Sequence, residues 1–274
     1  MGGLVAAPAG RWSDGRVLVP CRRLPLLLEE VPDQVASAAA VSNDFFRFPH
    51  TPHLAWLGDG TPREDKVMSN LELKALLSTD VVVEEKVDGA NLGMSLDSEG
   101  QLRPQNRGQF LTTPLSGQFE RLPQWLALHG DRLKAAMSLD LIVFGEWCAA
   151  RHTLRYHHLP DWWLFFDVYD RARASFLPLA ARNALARRAG VVAVAEVFRG
   201  RATVDSLQHL LMTTQSRYRD GPIEGLVVRN LNSATSTDRA KLVRPDFTQA
   251  IDSHWRRRRI EWNRMSTTAP LNTK

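Results

Sequence analysis

The chain contains 274 residues, of which 44% are hydrophobic and 24% are charged, with 17 Gly and 15 Pro. These proportions exclude collagen-like, low-complexity and disordered proteins, and two cysteines are too few for a disulfide framework or a four-cysteine zinc site. The formal net charge of +5 permits an anionic partner without identifying one.

Residues 1–40 differ in composition and periodicity from the rest of the chain. They are rich in Ala, Gly, Pro and Arg and lack sustained periodicity, which predicts an N-terminal extension ahead of a single domain at 41–274.

No apolar run approaches the roughly 20 residues of a membrane-spanning helix. The apolar patch at 24–28 comes late and is followed at once by acids, unlike a secretory signal. We therefore expect a cytoplasmic protein with no membrane partner.

From Phe45 onward, short apolar runs are broken by turn residues. Runs rich in β-branched or aromatic residues predict strands at 81–85, 92–96, 141–145, 163–169, 191–198, 225–229 and 240–243. Helical spacing predicts helices at 70–77, 118–129 with a continuation to 137, 179–189, 204–212 and 247–259. Strands come singly and in pairs rather than in strict alternation with helices, so the pattern favours an α+β domain with mixed, mostly antiparallel sheets.

The most distinctive local feature surrounds Lys86. An apolar strand ends in two glutamates, presents Lys86, and is followed by Asp88-Gly89, a tight-turn signal that predicts a hairpin into a second strand. A lysine at the mouth of such a hairpin, with a lowered pKa, is a nucleophile for phosphorus or for a carbonyl carbon. The alternative is an exposed lysine that pairs with a neighbouring glutamate.

The residues around Lys86 also resemble a known signature. The stretch 86–91, KVDGAN, resembles the first signature, Lys-x-Asp-Gly-x-Asn/Arg, of the covalent nucleotidyltransferases, which include ATP-dependent DNA ligases, RNA ligases and mRNA capping guanylyltransferases. Further stretches resemble the later signatures of this superfamily in the expected order, at 105–108 (QNRG), 144–147 (FGEW), 163–169 (WLFFDVY), 223–229 (IEGLVVR) and 239–243 (RAKLV). Asn91 and the stretches 144–148 and 152–170 are similar to RNA ligases of the type represented by the second RNA ligase of phage T4.

This resemblance implies the nucleotidyltransferase (adenylyltransferase) fold and an ATP-dependent RNA ligase that joins 3′-OH and 5′-phosphate ends in RNA repair. Lys86 would form lysyl-AMP, and the AMP would then move to the RNA 5′-phosphate. Attack of the RNA 3′-hydroxyl on this activated phosphate would join the ends and release AMP. The implied cofactors are ATP, as AMP donor, and Mg²⁺ or Mn²⁺. The partner is RNA, with an RNA/DNA hybrid or nicked duplex left open, and a monomer is favoured. About 30 residues follow position 243, too few for the C-terminal OB domain of DNA ligases and capping enzymes.

The resemblance also implies roles for individual residues. The catalytic residues are Lys86, Asp88 and Lys241. The residues implied in nucleotide binding are Glu85, Lys86, Val87, Asn91, Arg107, Glu146, Phe166, Glu224 and Lys241. Glu146 would face the ribose, and Glu224 would also bind the metal. Phe165 and Phe166 point to opposite faces of one strand, and we favour Phe166 for stacking on adenine.

Nucleic-acid contacts are predicted at Arg107, Arg239, Arg256 and Arg257. The fifth signature usually reads Lys-x-Lys, and Arg239 keeps the charge of the first lysine but not its ability to lose a proton. Arg256 and Arg257 belong to a basic cluster beside Trp255, predicted at a helix end, that could follow a nucleic-acid backbone. The alternative for this tail is a solvated helix end whose cations complement the helix dipole.

Other functions remain open at this point. They are a GTP-dependent capping-type guanylyltransferase, a minimal DNA ligase and a catalytically idle nucleic-acid-binding relative. The intact Lys86, Glu146, Glu224 and Lys241 argue against an idle relative. The histidines do not form a zinc spacing, so we predict structural or surface roles for His50, His53, His152, His157 and His158.

Overall fold

A computed structural model describes residues 45–59, 66–231, 238–250 and 259–266. The predicted extension at 1–40 lies outside the described residues, as do Arg256, Arg257 and most of the helix predicted at 247–259. Among the helices of the described residues, none has the length and apolar character needed to cross a membrane.

The described residues form nine strands and five α-helices. The helices are α1 (Asn70–Leu76), α2 (Leu122–Ala136), α3 (Leu179–Ala189), α4 (Val204–Thr213) and α5 (Pro245–Ala250), and a short 3₁₀ turn (Gly117–Phe119) precedes α2. The strands are β1 (Val81–Lys86), β2 (Ala90–Leu96), β3 (Leu102–Gln105), β4 (Leu141–Trp147), β5 (Trp163–Asp170), β6 (Ser175–Phe176), β7 (Glu196–Gly200), β8 (Gly225–Asn230) and β9 (Arg239–Val243).

The strands make two antiparallel sheets, which confirms the predicted α+β class. One sheet has the order β7-β1-β8-β9 and the other has the order β3-β2-β4-β5-β6. The four-stranded sheet packs its apolar side chains against α1 and α4, including Leu76 and Leu211. The five-stranded sheet packs against α2 and α3, including Trp125 and Leu185. Each sheet therefore has its own hydrophobic core.

The predicted hairpin across Asp88-Gly89 is wrong. β1 pairs with β7 and β8, whereas β2 pairs with β3 and β4 in the other sheet. The residues between them cross from one sheet to the other, and the Asp88 carboxylate anchors this crossing by accepting the backbone N–H groups of Thr153 (2.7 Å) and Leu154 (2.8 Å). Lys86 consequently lies where the two sheets meet.

Several boundaries differ from prediction for identifiable reasons. β3 is an edge strand that contains Pro104, and β6 has two residues, so neither shows a clear strand pattern. Residues 191–195 were predicted as strand, but only Glu196–Gly200 joins the four-stranded sheet. The N–H of Val194 instead donates to the carbonyl of Phe165 in β5 (2.9 Å). This segment therefore connects the edges of the two sheets.

Candidate active site

An open cleft of about 810 Å³ lies at the junction of the two sheets. This volume is within the range of small-molecule sites in proteins. The cleft is lined by most of the residues implied in nucleotide binding, namely Glu85, Lys86, Val87, Asn91, Arg107, Glu146, Phe166 and Lys241. Residues distant in the sequence are thus brought together around one space.

Lys86 lines this cleft and forms a close pair with Glu224, which is buried behind it and is not among the lining residues. Nζ of Lys86 donates a hydrogen bond to Oε1 of Glu224, and the two side chains are 26% and 3% exposed. Lys86 lies opposite Gly225 in the β1–β8 pairing, which places Glu224 beside it. A Cβ at Gly225 would lie 2.7 Å from the carbonyl oxygen of Leu242, so only glycine permits this close approach. Within the described part of the chain, Oε2 of Glu224 has no hydrogen-bond partner.

The pKa of Lys86 is raised above its ordinary value. Burial lowers this pKa, but the carboxylates of Glu224, Glu146 and Asp88 together outweigh burial. The prediction of a lowered pKa is therefore wrong, because three acids face the amine. Lys86 is protonated here and must lose a proton before it can act as a nucleophile.

Glu146, on β4, lies close to Lys86, on β1. It pairs in register with Asn91 of β2, and its Oε1 accepts the backbone N–H of Gly89 at 3.1 Å. Burial raises the pKa of the Glu146 carboxyl to about 7, against the opposing attraction of Lys86. The carboxyl is thus poised between its neutral and ionised forms near neutral pH.

We expect Glu146→Gln to stabilise the protein at pH 8 but not at pH 4. The pKa of the Glu146 carboxyl is about 7 in the folded chain, against an ordinary value of 4.5. Between these two pH values the folded state therefore holds a proton that the unfolded state has lost. Its contribution to stability is consequently lost as pH rises from 4.5 to 7. The variant should gain roughly 1 to 3 kcal/mol at pH 8. Urea unfolding at both pH values measures this, and an equal gain at both would contradict the assignment.

The carboxylates of Asp88 and Glu85 are engaged within the fold. Asp88 holds the loop after β4, as described above, and its own N–H donates to the hydroxyl of Tyr156 at 2.8 Å. The Glu85 carboxylate accepts from Oγ of Ser216 (2.5 Å) and from the N–H of Arg217 (2.9 Å). Both acids thus anchor loops around the cleft, while Asp88 also contributes negative potential at Lys86.

A buried ionic network forms the floor of the cleft. Glu84 accepts from Arg182 of α3 (2.6 Å) and from Arg229 of β8 (2.7 Å), and Arg229 also binds Asp167 of β5 (3.0 Å). All four residues are almost fully buried. Because Arg229 and Asp167 belong to different sheets, their ion pair links the two sheets beneath the site. The sequence signal for this network is a charged residue within each otherwise apolar strand.

Arg239 belongs to the same floor. Its guanidinium lies 3.4 Å from Asp167 and is flanked by the rings of Phe48 and Phe176 at 4.7 and 4.5 Å. The side chain is 5% exposed. Arg239 also lines the cleft, and its contact with a nucleic-acid backbone stays a prediction.

The two neighbouring phenylalanines of β5 occupy different environments. Phe165 is fully buried in the core of the five-stranded sheet, whereas Phe166 lines the cleft with its ring 5.2 Å from that of Phe48. Phe166 is therefore the one of the two phenylalanines that can contact a ligand.

On the opposite sheet, Lys241 pairs with Val227, and both line the same cleft.

Arg107 lies at the rim of the cleft. Its turn is shaped by Asn106, whose side-chain oxygen accepts the N–H groups of Gly108 (2.8 Å) and Gln109 (2.9 Å). Nε of Arg107 is buried and has no hydrogen-bond partner among the described residues. The turn thus presents a cation to the cleft.

Sequence reasoning missed two histidines of the cleft. His50 and His152 both line it, and Nε2 of His152 lies 2.7 Å from Oε1 of Gln118. The sequence predicts a structural or surface role for both, because neither histidine lies in a recognised motif spacing that would indicate a place in the site. The segment 48–51, which carries His50, also reaches the cleft only through tertiary contacts.

The residues present fit a divalent metal bound together with a phosphate ligand. Among the described residues, no group of three or more His, Cys, Asp or Glu side chains could hold a metal alone. The unpaired buried oxygen of Glu224 is a suitable single ligand. Mg²⁺ is usually bound by one or two carboxylates together with substrate phosphates and water.

Comparisons with known proteins identify a family and similar folds. A family model described as RNA ligase matches residues 79–243, more than half of the chain. Among solved structures, a Naegleria gruberi RNA ligase variant with AMP and Mn matches with 14% identity, a TM-score of 0.50, and coverage of 64% of this chain and 53% of that chain. At this identity the likeness shows the fold alone.

Two further structures of the Naegleria gruberi RNA ligase are similar to this chain. The form with PPi has 16% identity, a TM-score of 0.49, and coverage of 74% of this chain and 63% of that chain. A variant with ATP and Mn has 16% identity, a TM-score of 0.46, and coverage of 63% and 52%. The chain thus spans between about half and two thirds of the structures it matches. No curated protein gives a significant sequence match.

Proposed function

Because this chain belongs to the RNA ligase family, we propose that it is an ATP-dependent RNA ligase that joins a 3′-hydroxyl to a 5′-phosphate. The observation that carries the proposal is the placement of Lys86 between Glu224 and Glu146 in a cleft shared by both sheets.

In the first step, Nζ of Lys86 attacks the α-phosphorus of ATP. A phosphorus–nitrogen bond forms, the bond between the α-phosphorus and the bridging oxygen breaks, and pyrophosphate leaves with AMP retained on Lys86. The proton of Lys86 must depart, and Glu224 accepts its hydrogen bond.

In the second step, the RNA 5′-phosphate attacks the phosphorus of the adenylate and restores the Lys86 amine. In the third, the RNA 3′-hydroxyl attacks the activated 5′-phosphate and releases AMP. Arg107 and Lys241 supply positive charge to these phosphates, since both line the cleft. A bound Mg²⁺ or Mn²⁺ would neutralise phosphate charge, and Glu224 would hold it.

A ligation assay tests the proposal. Nicked duplexes carrying RNA or DNA on each side of the nick, and single-stranded RNA, would be incubated with the protein, Mg²⁺ and either ATP or GTP. We expect ATP-dependent joining of RNA ends, with the comparison of duplexes identifying the preferred substrate. Joining of DNA ends alone would favour a minimal DNA ligase, and labelling by GTP alone would favour a capping-type enzyme. Absence of joining and labelling would refute the proposal.

Phe166→Ala is expected to raise KM for ATP in lysine adenylylation by about tenfold, because stacking of a base on an aromatic ring contributes about 1–3 kcal/mol. The matched variant is Phe165→Leu, which alters the core on the opposite face of the same strand. It should lower thermal stability and leave KM unchanged. A similar rise in KM for both variants, or none for Phe166→Ala, would exclude Phe166 as the stacking ring.

A further inference from the structure

A second layer of contacts holds the segment that follows Lys86. Residues 148–159 form a loop after β4, and residues 261–266, here called the strap, run alongside it. Backbone hydrogen bonds of 2.7–2.9 Å join the two, from the N–H groups of Arg151, Asn263 and Ser266 to the carbonyl oxygens of Glu261, Ala149 and Leu159. The strap is therefore attached along the whole length of the loop.

Asn263 is the buried centre of the strap. The residue is 2% exposed, and its side-chain oxygen accepts the N–H of Tyr156 at 2.9 Å. Its amide nitrogen donates to the carbonyl oxygens of Cys148 (2.8 Å) and Ala150 (3.2 Å). One amide thus joins the start of the loop to Tyr156, and its acceptor and both donors are satisfied in the interior.

The loop in turn fixes the crossing between the sheets. The hydroxyl of Tyr156, which is 1% exposed, accepts the N–H of Asp88 at 2.8 Å. The N–H groups of Thr153 and Leu154 hold the carboxylate of the same Asp88. A continuous series of hydrogen bonds therefore runs from Asn263 through the loop to a residue two positions after Lys86.

We propose that Asn263 and Tyr156 are positioning residues for the nucleophile. Neither lines the cleft, and together they fix Asp88 and so the approach of Lys86 to the α-phosphate. The inference rests on the proposed ligase function. Attack requires the reacting atoms to lie about 3–3.5 Å apart, and a displacement of about 1 Å can reduce the rate about a hundredfold. A loss of positioning should therefore lower the rate of attack and leave ATP affinity intact.

The test uses the full chain and follows covalent labelling by ATP that carries a label in its α-phosphate. Tyr156→Phe keeps the ring and removes one acceptor, and should lower the rate at saturating ATP by about three- to tenfold. Asn263→Ala should lower it by about ten- to a hundredfold. KM for ATP should change by less than about twofold in both variants. Because both act on the same loop, the double variant should be no more than about twofold slower than Asn263→Ala.

The matched control is Glu261→Gln, which leaves the strap backbone in place and alters only ion pairs at half-exposed side chains, including Arg151. Its labelling rate should equal that of the wild type. Unchanged rates in Tyr156→Phe, a loss expressed in KM, or independent multiplication of the two losses would overturn the inference. Tyr156→Phe decides the matter if Asn263→Ala does not fold. Absence of labelling in the wild type would instead refute the proposed function itself.

Discussion

Replacement of Lys86 by arginine is expected to lower covalent labelling by ATP by about three orders of magnitude or more, which is the scale on which loss of a nucleophile acts. Arginine preserves the positive charge beside Glu224, so the buried carboxylate keeps a partner and the fold is retained. A guanidinium does not lose its proton in a protein and therefore cannot attack phosphorus. The measurement is incorporation of the α-phosphate label into protein, with circular dichroism as the check on folding.

The matched control for this variant is Lys66→Arg. Lys66 is 67% exposed, pairs with Glu72 and is not among the residues that line the cleft. Its labelling should equal that of the wild type. Labelling of the Lys86→Arg protein at the wild-type rate would place the nucleophile elsewhere and exclude the mechanism described above.

The second large effect is expected at the cleft floor, where Arg229→Ala should lower the free energy of unfolding by about 3–5 kcal/mol. The substitution removes the cation shared by Glu84 and Asp167 and leaves two buried carboxylates with fewer partners. Loss of one member of a buried ion pair typically costs this amount, because the remaining charge stays desolvated. Urea unfolding followed by tryptophan fluorescence measures the change.

Arg199→Ala provides the comparison. Arg199 binds Glu196 at 2.6 Å, but both side chains are about 40% exposed, and exposed pairs contribute about 0–1 kcal/mol. The two variants remove the same residue type from β8 and β7, the two strands that flank β1 in one sheet. Similar losses for both would show that the floor network does not link the sheets in the way described.

Local signals predict the regular elements well. α3 has the predicted bounds because Gly190, with φ of +66°, ends the helix in the left-handed conformation that glycine favours. α4 begins where predicted because Thr203 accepts the N–H of Ser206, and its buried Leu207 and Leu211 recur at helical spacing. These features depend on residues within one or two turns.

The site is predictable only in part, because its arrangement depends on distant residues. The order of the motifs identifies Lys86, Glu146 and Lys241, but Asp88-Gly89 has the same local signature in a hairpin and in a crossing between sheets. What decides between them is the pair of N–H groups that hold Asp88, 65 and 66 positions away. The raised pKa of Lys86 likewise follows from acids on three separate segments.

The most direct test of the mechanism is the location of the adenylate. The protein would be incubated with ATP and Mg²⁺, digested, and mapped by mass spectrometry, which is unambiguous because the chain contains only six lysines. We expect AMP on the peptide that carries Lys86, through a bond that acid cleaves, with loss of the adduct when RNA bearing a 5′-phosphate is added. An adduct on any other residue, or no adduct in a folded protein, would contradict the central role of Lys86.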